Sequence, residues 1–345
     1  MTANFTESVT GFVAGDISVT NGNVTNFTPN SGTQYVFNVI PSADGLVTVN
    51  ISGGVAQDSA GNTNNAATAL SRTFDATAPT VSMSSAAANP TNSNPIAVTV
   101  TFSESISGFA LVDIVVGNGT ASALSPAGGT GSSFTFNIAP TAPGAVTANI
   151  AAGVVVDTAT NGNVAAAQFS RTFDNTLPTI TLTTTASNPT KNSPIPVTAT
   201  FNEAVTGFAI GDITAGNATF SNFQTQSSTV YTFSATPTVA VGTVTVNVAG
   251  GVALDSAANG NSAASQLSRA FDSQAPTVTM TSAEGDPTSS TSIAVTVTFS
   301  ESVTGFTSGD IQTSNATVGG FSGSGANYSY NLLPTADGAA TAVIS

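Results

Sequence analysis

One nine-residue segment recurs four times at an interval that only a whole domain fills. NFTESVTGF (4–12), TFSESISGF (101–109), TFNEAVTGF (200–208) and TFSESVTGF (298–306) place Glu7, Glu104, Glu203 and Glu301 at spacings of 97, 99 and 98 residues. Such a period is too long for a solenoid of small stacked units and suits a tandem array of sandwich-sized domains. A second signature closes each copy: SRTFDATAPT (71–80), SRTFDNTLPT (170–179) and SRAFDSQAPT (268–277). The repeats are therefore expected at 1–75, 76–174, 175–272 and 273–345, with the middle two complete. The first is expected to begin partway along its second strand and the last to stop before its final strand, as in a piece cut from a longer array.

Composition narrows the chemistry. The 345 residues include no Cys and no His, which removes disulfides, Cys-based zinc sites and the commonest general base. Four basic residues against 18 acidic ones, a net charge of −14, leave nothing to neutralise a row of phosphates, so no nucleic acid partner is expected. No run of 18 apolar residues exists, so no membrane insertion is expected, and no signal peptide is legible at Met1. Hydrophobic content of 40%, with abundant Thr and Val between Asn, Gly and Pro clusters, is an all-β composition.

Alternation places seven strands in the second copy, at 79–85, 95–103, 112–117, 119–124, 133–139, 145–151 and 167–174. Ile96, Val98, Val100 and Phe102 point one way while Thr99 and Thr101 point the other. Phe134, Phe136 and Ile138 repeat the pattern, as do Val146, Ala148 and Ile150. Seven short strands in about 100 residues predict a tandem array of seven-stranded immunoglobulin-like β-sandwiches.

F-x-E-x-V-T-G-F, then D-I, then D-x-A-G-N, then S-R-T-F-D-x-x-x-P-T resembles the bacterial Ig-like repeats of large surface proteins and adhesins. The likeness covers essentially the whole chain. It implies an extracellular location, on the bacterial cell surface or secreted, and calcium-dependent rigidity.

Fourteen of the 18 acidic residues fall in four recurring slots. They are the glutamates above; Asp16, Asp113, Asp212 and Asp310, each before an Ile; Asp58, Asp157 and Asp255, in a loop; and Asp75, Asp174 and Asp272, closing the last strand. Strand direction predicts where these slots lie. With the first strand running upward, the loop after strand two, the start of strand three and the loop between strands six and seven all lie at the lower pole. The seventh strand ends at the upper pole, a few residues before the next repeat begins. Asp75 is thus expected to approach Glu104 and Asp157, with Asp113 at the same pole. Asp174 is expected near Glu203, Asp255 and Asp212, and Asp272 near Glu301 and Asp310.

Like charges at 4 Å repel by about 4 kcal/mol at an effective dielectric of 20. A calcium ion, which accepts six to eight oxygens in flexible geometry, answers that repulsion, and the loops 58–62, 157–163 and 255–261 carry further amide and backbone oxygens. Three alternatives stand beside it. Asp in D-x-A-G-N makes Asx-turns; Asp before Ile is a solvated strand start; and the inward-leaning Arg72 or Arg171 pairs with a carboxylate and leaves a metal-free polar cluster.

No P-loop, H-E-x-x-H or nucleophile elbow occurs, so no enzyme is expected. The leading expectation is a structural stalk segment of a large extracellular bacterial surface or adhesin protein, stiffened by calcium where repeats meet. Its partners are the neighbouring repeats, with surface glycans or host ligands met through domains outside this segment. The alternative is a carbohydrate- or surface-binding module appended to a secreted protein, for which Phe12, Phe109, Phe208 and Phe306 are the candidate aromatic platform.

Overall fold

The computed structural model describes residues 1–344; the fourth repeat's expected range ends on Ser345, outside them. The described chain forms two compact units. The first comprises Met1–Thr179 with Glu203–Phe208 and Gly250–Ser262, and the remaining described residues form the second.

Within the first unit, the second repeat is a complete sandwich. Its strands are β1 (Val81–Ser84), β2 (Ile96–Ile106), β3 (Ile114–Gly117), β4 (Gly119–Ser125), β5 (Gly131–Pro140), β6 (Gly144–Ile150) and β7 (Phe169–Phe173). One sheet has the order β4-β5-β2-β1 and the other β7-β6-β3, with every pairing antiparallel. This is the four-plus-three arrangement of constant-type immunoglobulin sandwiches.

The register follows from burying one face of each sheet. Phe134 lies opposite Val100, Phe136 opposite Val98 and Ile138 opposite Ile96, all essentially inaccessible. Against them pack Val146, Ala148 and Ile150 of β6 with Phe169 and Phe173 of β7. The third strand begins later than the alternation implied, at Ile114, because Leu111–Asp113 closes a 3-10 turn first. The Asp113 carboxylate accepts the Ala110 N–H at 2.8 Å and draws the chain into that turn.

The first repeat has sheets built from Thr2–Asn4, Gln34–Pro41 and Gly22–Pro29, and from Ile17–Thr20, Gly45–Ile51 and Leu70–Phe74. In the second unit, the third repeat reproduces both sheet orders. Ile180–Thr183, Ile195–Phe201, Val230–Pro237 and Ala218–Thr225 form one sheet; Ile213–Gly216, Val241–Val248 and Leu267–Asp272 form the other. The fourth repeat pairs Val278–Thr281, Ile293–Val303 and Ala316–Pro334, with Ile311–Ser314 against Thr341–Ile344.

In the first three repeats the phenylalanine of the T-G-F or S-G-F segment is a core residue, which removes it as a binding platform, and in the fourth it is half-buried. Phe109 is 2% exposed and meets Phe102 and Phe134 at centroid distances of 5.4 and 5.1 Å. Phe12 and Phe208 are likewise buried, and Phe306 packs on Phe299. The preceding glycine makes this possible: Gly108 has φ +87°, and Gly11, Gly207 and Gly305 lie within a few degrees of it. That left-handed turn swings the ring inward at little steric cost.

Phe109→Ala is therefore expected to destabilise the second repeat by about 3–5 kcal/mol. Chemical denaturation of the full chain, followed by far-ultraviolet circular dichroism, measures it as a fraction of the β signal lost at lower denaturant; a loss below about 1 kcal/mol would contradict the core placement.

Candidate metal centre

Two groups of three carboxylates form in the first unit, each joining the end of one repeat to the lower pole of the next. Asp75, Glu104 and Asp157 each offer an oxygen, and these oxygens lie within 4.8 Å of one another. Asp174, Glu203 and Asp255 form the same group one repeat later. The first Asp of each group closes a seventh strand, the Glu continues the inward parity of a second strand, and the last Asp opens the loop before the next seventh strand.

The loop is what fixes the buried member. Asp157 is 4% exposed; one carboxylate oxygen accepts the N–H groups of Ala159 and Asn161, both at 2.8 Å, and the other accepts the Asn161 amide at 2.8 Å. Asp255 is held identically by Ala257 and Asn259. This is the Asx-turn, and the carboxylate still faces the other two acids. Asn161 also donates to the Asp75 carbonyl at 3.1 Å, and Asn259 to that of Asp174 at 2.9 Å. Val164 N–H to the Pro79 carbonyl, and Ser262 N–H to that of Pro178, complete the attachment of the linker to the pole.

Behind each loop lies an asparagine that the sequence reading counted as a further oxygen donor. Asn163, 2% exposed, accepts the N–H groups of Val154 and Val155 and donates to the Ala151 and Val164 carbonyls. Its amide braces the loop and leaves no oxygen for an ion. Asn261 accepts from Val252 and Ala253 in the same way.

Electrostatics separates the three acids. Burial, then the carboxylates of Asp75, Asp157 and Asp44, push Glu104 above the ordinary glutamate range. Burial, then Asp255 and Asp174, do the same to Glu203. Burial also works to raise Asp157, but the donors from Asn161 and Ala159 outweigh it and hold this carboxyl low. Asp157 is thus kept charged by its loop, and the two glutamates carry the repulsion.

Other expected members are elsewhere. Asp113, Asp212 and Asp310, like Asp16, cap their own 3-10 turns through the N–H groups of Ala110, Ala209, Thr307 and Val13, outside the three-acid groups. Among the described residues no group of three forms from Asp272, Glu301 and Asp310. The Arg-paired alternative does not match the contacts. Arg171 leans over Phe169 at 5.1 Å, as its parity implied, but donates to the carbonyls of Ser85, Ala87 and Ser170 at the upper pole. Arg269 donates to those of Ala186 and Ser268, and the exposed Arg72 to that of Ser71.

One contributor lies outside the four recurring slots. Asp44, in the loop between Gln34–Pro41 and Gly45–Ile51 of the first repeat, accepts the Thr77 hydroxyl and the Ala76 N–H, the latter at 2.8 Å, which depresses its own pKa. That loop follows an upward strand and so lies at the upper pole, where the first repeat ends at Asp75. Its only counterpart is Asp337 of the fourth repeat, since the second and third repeats have no acid there.

With the fold and the acidic poles described, the family is plain. A model of the bacterial Ig-like domain matches four times, at residues 1–74, 75–172, 174–271 and 272–345, and the chain belongs to that family. No curated protein shows significant similarity to the chain. Solved structures similar to it include the Escherichia coli adhesin FdeC, at 15% identity over 79% of this chain and 93% of that one, with a TM-score of 0.33. Invasin, a bacterial integrin-binding protein, gives 12% identity over 75% of this chain and 55% of its own, at 0.30. Surface layer protein SbsC, domains 1–6, gives 18% identity over 99% of this chain and 50% of its own, at 0.24. The chain spans about half the length of the latter two.

Two outcomes follow. A glutamate whose folded pKa is raised holds its proton more tightly folded than unfolded, so stability falls as pH rises from the ordinary Glu value through the raised one. In metal-free buffer Glu104→Gln is expected to melt higher than wild type at pH 7 and to lose part of the decline between pH 4.5 and 7. Asp44, Asp58 and Asp157, all lowered, act oppositely, and their stabilisation is lost as pH falls through their folded values. Thermal melts of both proteins from pH 3 to 7 test this; identical curves would refute it. Separately, the fourth position of the Asp loop is left-handed, and Gly61, Thr160 (φ +73°) and Ala258 (φ +70°) occupy it in turn. Thr160→Gly should therefore raise stability by under about 1 kcal/mol, the left-handed strain relieved less the added freedom of the unfolded chain, as read by urea denaturation.

Proposed function

We infer that the chain is a non-catalytic, load-transmitting segment of a bacterial extracellular stalk, at the cell surface or in a secreted protein, whose repeats are locked end to end by calcium. The observation that carries the reading is the twofold convergence of three carboxylates from successive repeats with no cation of the chain among the charges acting on Glu104 or Glu203. Membership of the bacterial Ig-like family in four tandem copies supports the stalk, and the linker bonds to Pro79 and Pro178 support stiffness at the joints.

The donor set suits a hard divalent ion. Each group offers three carboxylates with free lone pairs, and the Asp loop holds one of them in place before any ion arrives. Calcium tolerates such an irregular oxygen set, completing its shell with water, whereas magnesium demands near-octahedral geometry. Bound there, the ion supplies charge neutralisation and ties strand ends of two repeats to one point. Extracellular calcium modules bind at about 10⁻⁴–10⁻³ M, which would leave the joints pliant inside the cell and locked outside.

Calcium titration of the full chain, by calorimetry and thermal melting against an EGTA control, is the test. At 100 times Kd each site should add about 2.7 kcal/mol to the native state. Glu104→Gln and Glu203→Gln together should abolish the gain while leaving a folded protein. An unchanged melt up to 10 mM calcium would leave a metal-free spacer.

A further inference from the structure

We propose that the segment following the first strand of each complete repeat is a mechanical clamp that carries tension directly from the repeat's entry to its exit. In the second repeat, Thr91 forms a parallel bridge to Phe173 of β7. Thr91 N–H donates to the Thr172 carbonyl and Asp174 N–H to the Thr91 carbonyl, both at 2.9 Å. Thr172 N–H donates to the Asn89 side-chain oxygen at 2.8 Å. Arg171 adds two more bonds from β7, to the carbonyls of Ala87 at 3.3 Å and Ser85 at 3.1 Å. Five bonds thus join residues 85–91 to residues 171–174, and Thr91 is 3% exposed.

The third repeat repeats the device within the second unit. Thr190 bridges Phe271 in parallel; Ala270 N–H donates to Asn188, Thr190 N–H to the Ala270 carbonyl and Asp272 N–H to the Thr190 carbonyl, while Arg269 donates to the Ala186 carbonyl at 3.2 Å.

Direction makes this a load path. Tension enters the second repeat through β1 and leaves after Asp174, at the end of β7. The clamped segments run parallel, one attached to the entry through its N-terminal end and the other to the exit through its C-terminal end. Pulling slides them past one another, so the bonds are loaded together in shear instead of opening one at a time. The shortest load path from entry to exit then crosses the hydrogen bonds of the clamp and bypasses the central strand pair β2–β5. The clamp rests on the stalk reading for its use, but its geometry is independent of any ion at the joints.

Force-clamp pulling of the full chain in EGTA tests it, with the third repeat as internal reference. Asn89→Ala, which removes one bond, is expected to speed unfolding of the second repeat at fixed force by roughly five- to tenfold, and Arg171→Met, which removes two, by at least as much, with third-repeat events unchanged. Asn188→Ala should move the other set of events, which assigns them. Ile138→Val, in the core off the load path, should lower the melt yet leave the rate under force near wild type. If Ile138→Val accelerates forced unfolding as much as the clamp variants, or if both clamp variants unfold under load at the wild-type rate, the clamp is overturned. Because no calcium is present, neither result bears on the calcium-dependent melt.

Discussion

An odd number of strand crossings is the constraint on which everything else here depends. A sandwich crossed seven times by antiparallel strands must take in the chain at one pole and release it at the other. Burial enforces the crossings, since the central pairing of β2 with β5 sets Phe134 against Val100 and Phe136 against Val98, and a slip by one residue would turn both rings to water. Once the poles are fixed, the last residue of one repeat necessarily arrives among the lower loops of the next. The convergence of Asp75 on Glu104 and Asp157 is a consequence of counting strands.

The two acids at each lower pole are held by different physics. Asp157 sits in a closed circuit of backbone and Asn161 donors that stabilises its charge and leaves it little freedom. Glu104 has a longer side chain, continues an inward parity and meets three carboxylates. The loop therefore provides a fixed anion, and the strand end provides an adjustable one whose charge is unfavourable until something shares it. Under the calcium proposal, that pairing of a rigid and a yielding carboxylate would suit a cation that binds reversibly.

What could be read in the sequence was whatever side-chain alternation and strand direction control. Both predict the strands of the second repeat, the inward lean of Arg171 and the meeting of Asp174 with Glu203 and Asp255. Interactions with backbone atoms were illegible, because a carbonyl has no letter. Arg171 chose the carbonyls of Ser85 and Ala87 over any acid, and Asp113 chose an N–H three residues away over the shared pole. Asn163 looked like a loop residue rich in oxygen and is instead a buried four-bond brace. Asp44 lay outside the four slots because only Asp337 of the fourth repeat matches it, although strand direction, which located Asp75, places its loop at the same pole.

The bonds from Asn161 to the Asp75 carbonyl and from Asn259 to that of Asp174 also set an order of events. The acceptor always belongs to the tail of the earlier repeat, and the donor to the loop of the later one. A ribosome or an export channel that delivers the amino-terminal end first has thus already presented the acceptors when each new loop appears. Every repeat can finish folding on a predecessor that is complete, without waiting for the chain behind it. Growth in the opposite sense would leave each loop open until the next repeat arrived, so the array is built to assemble one way.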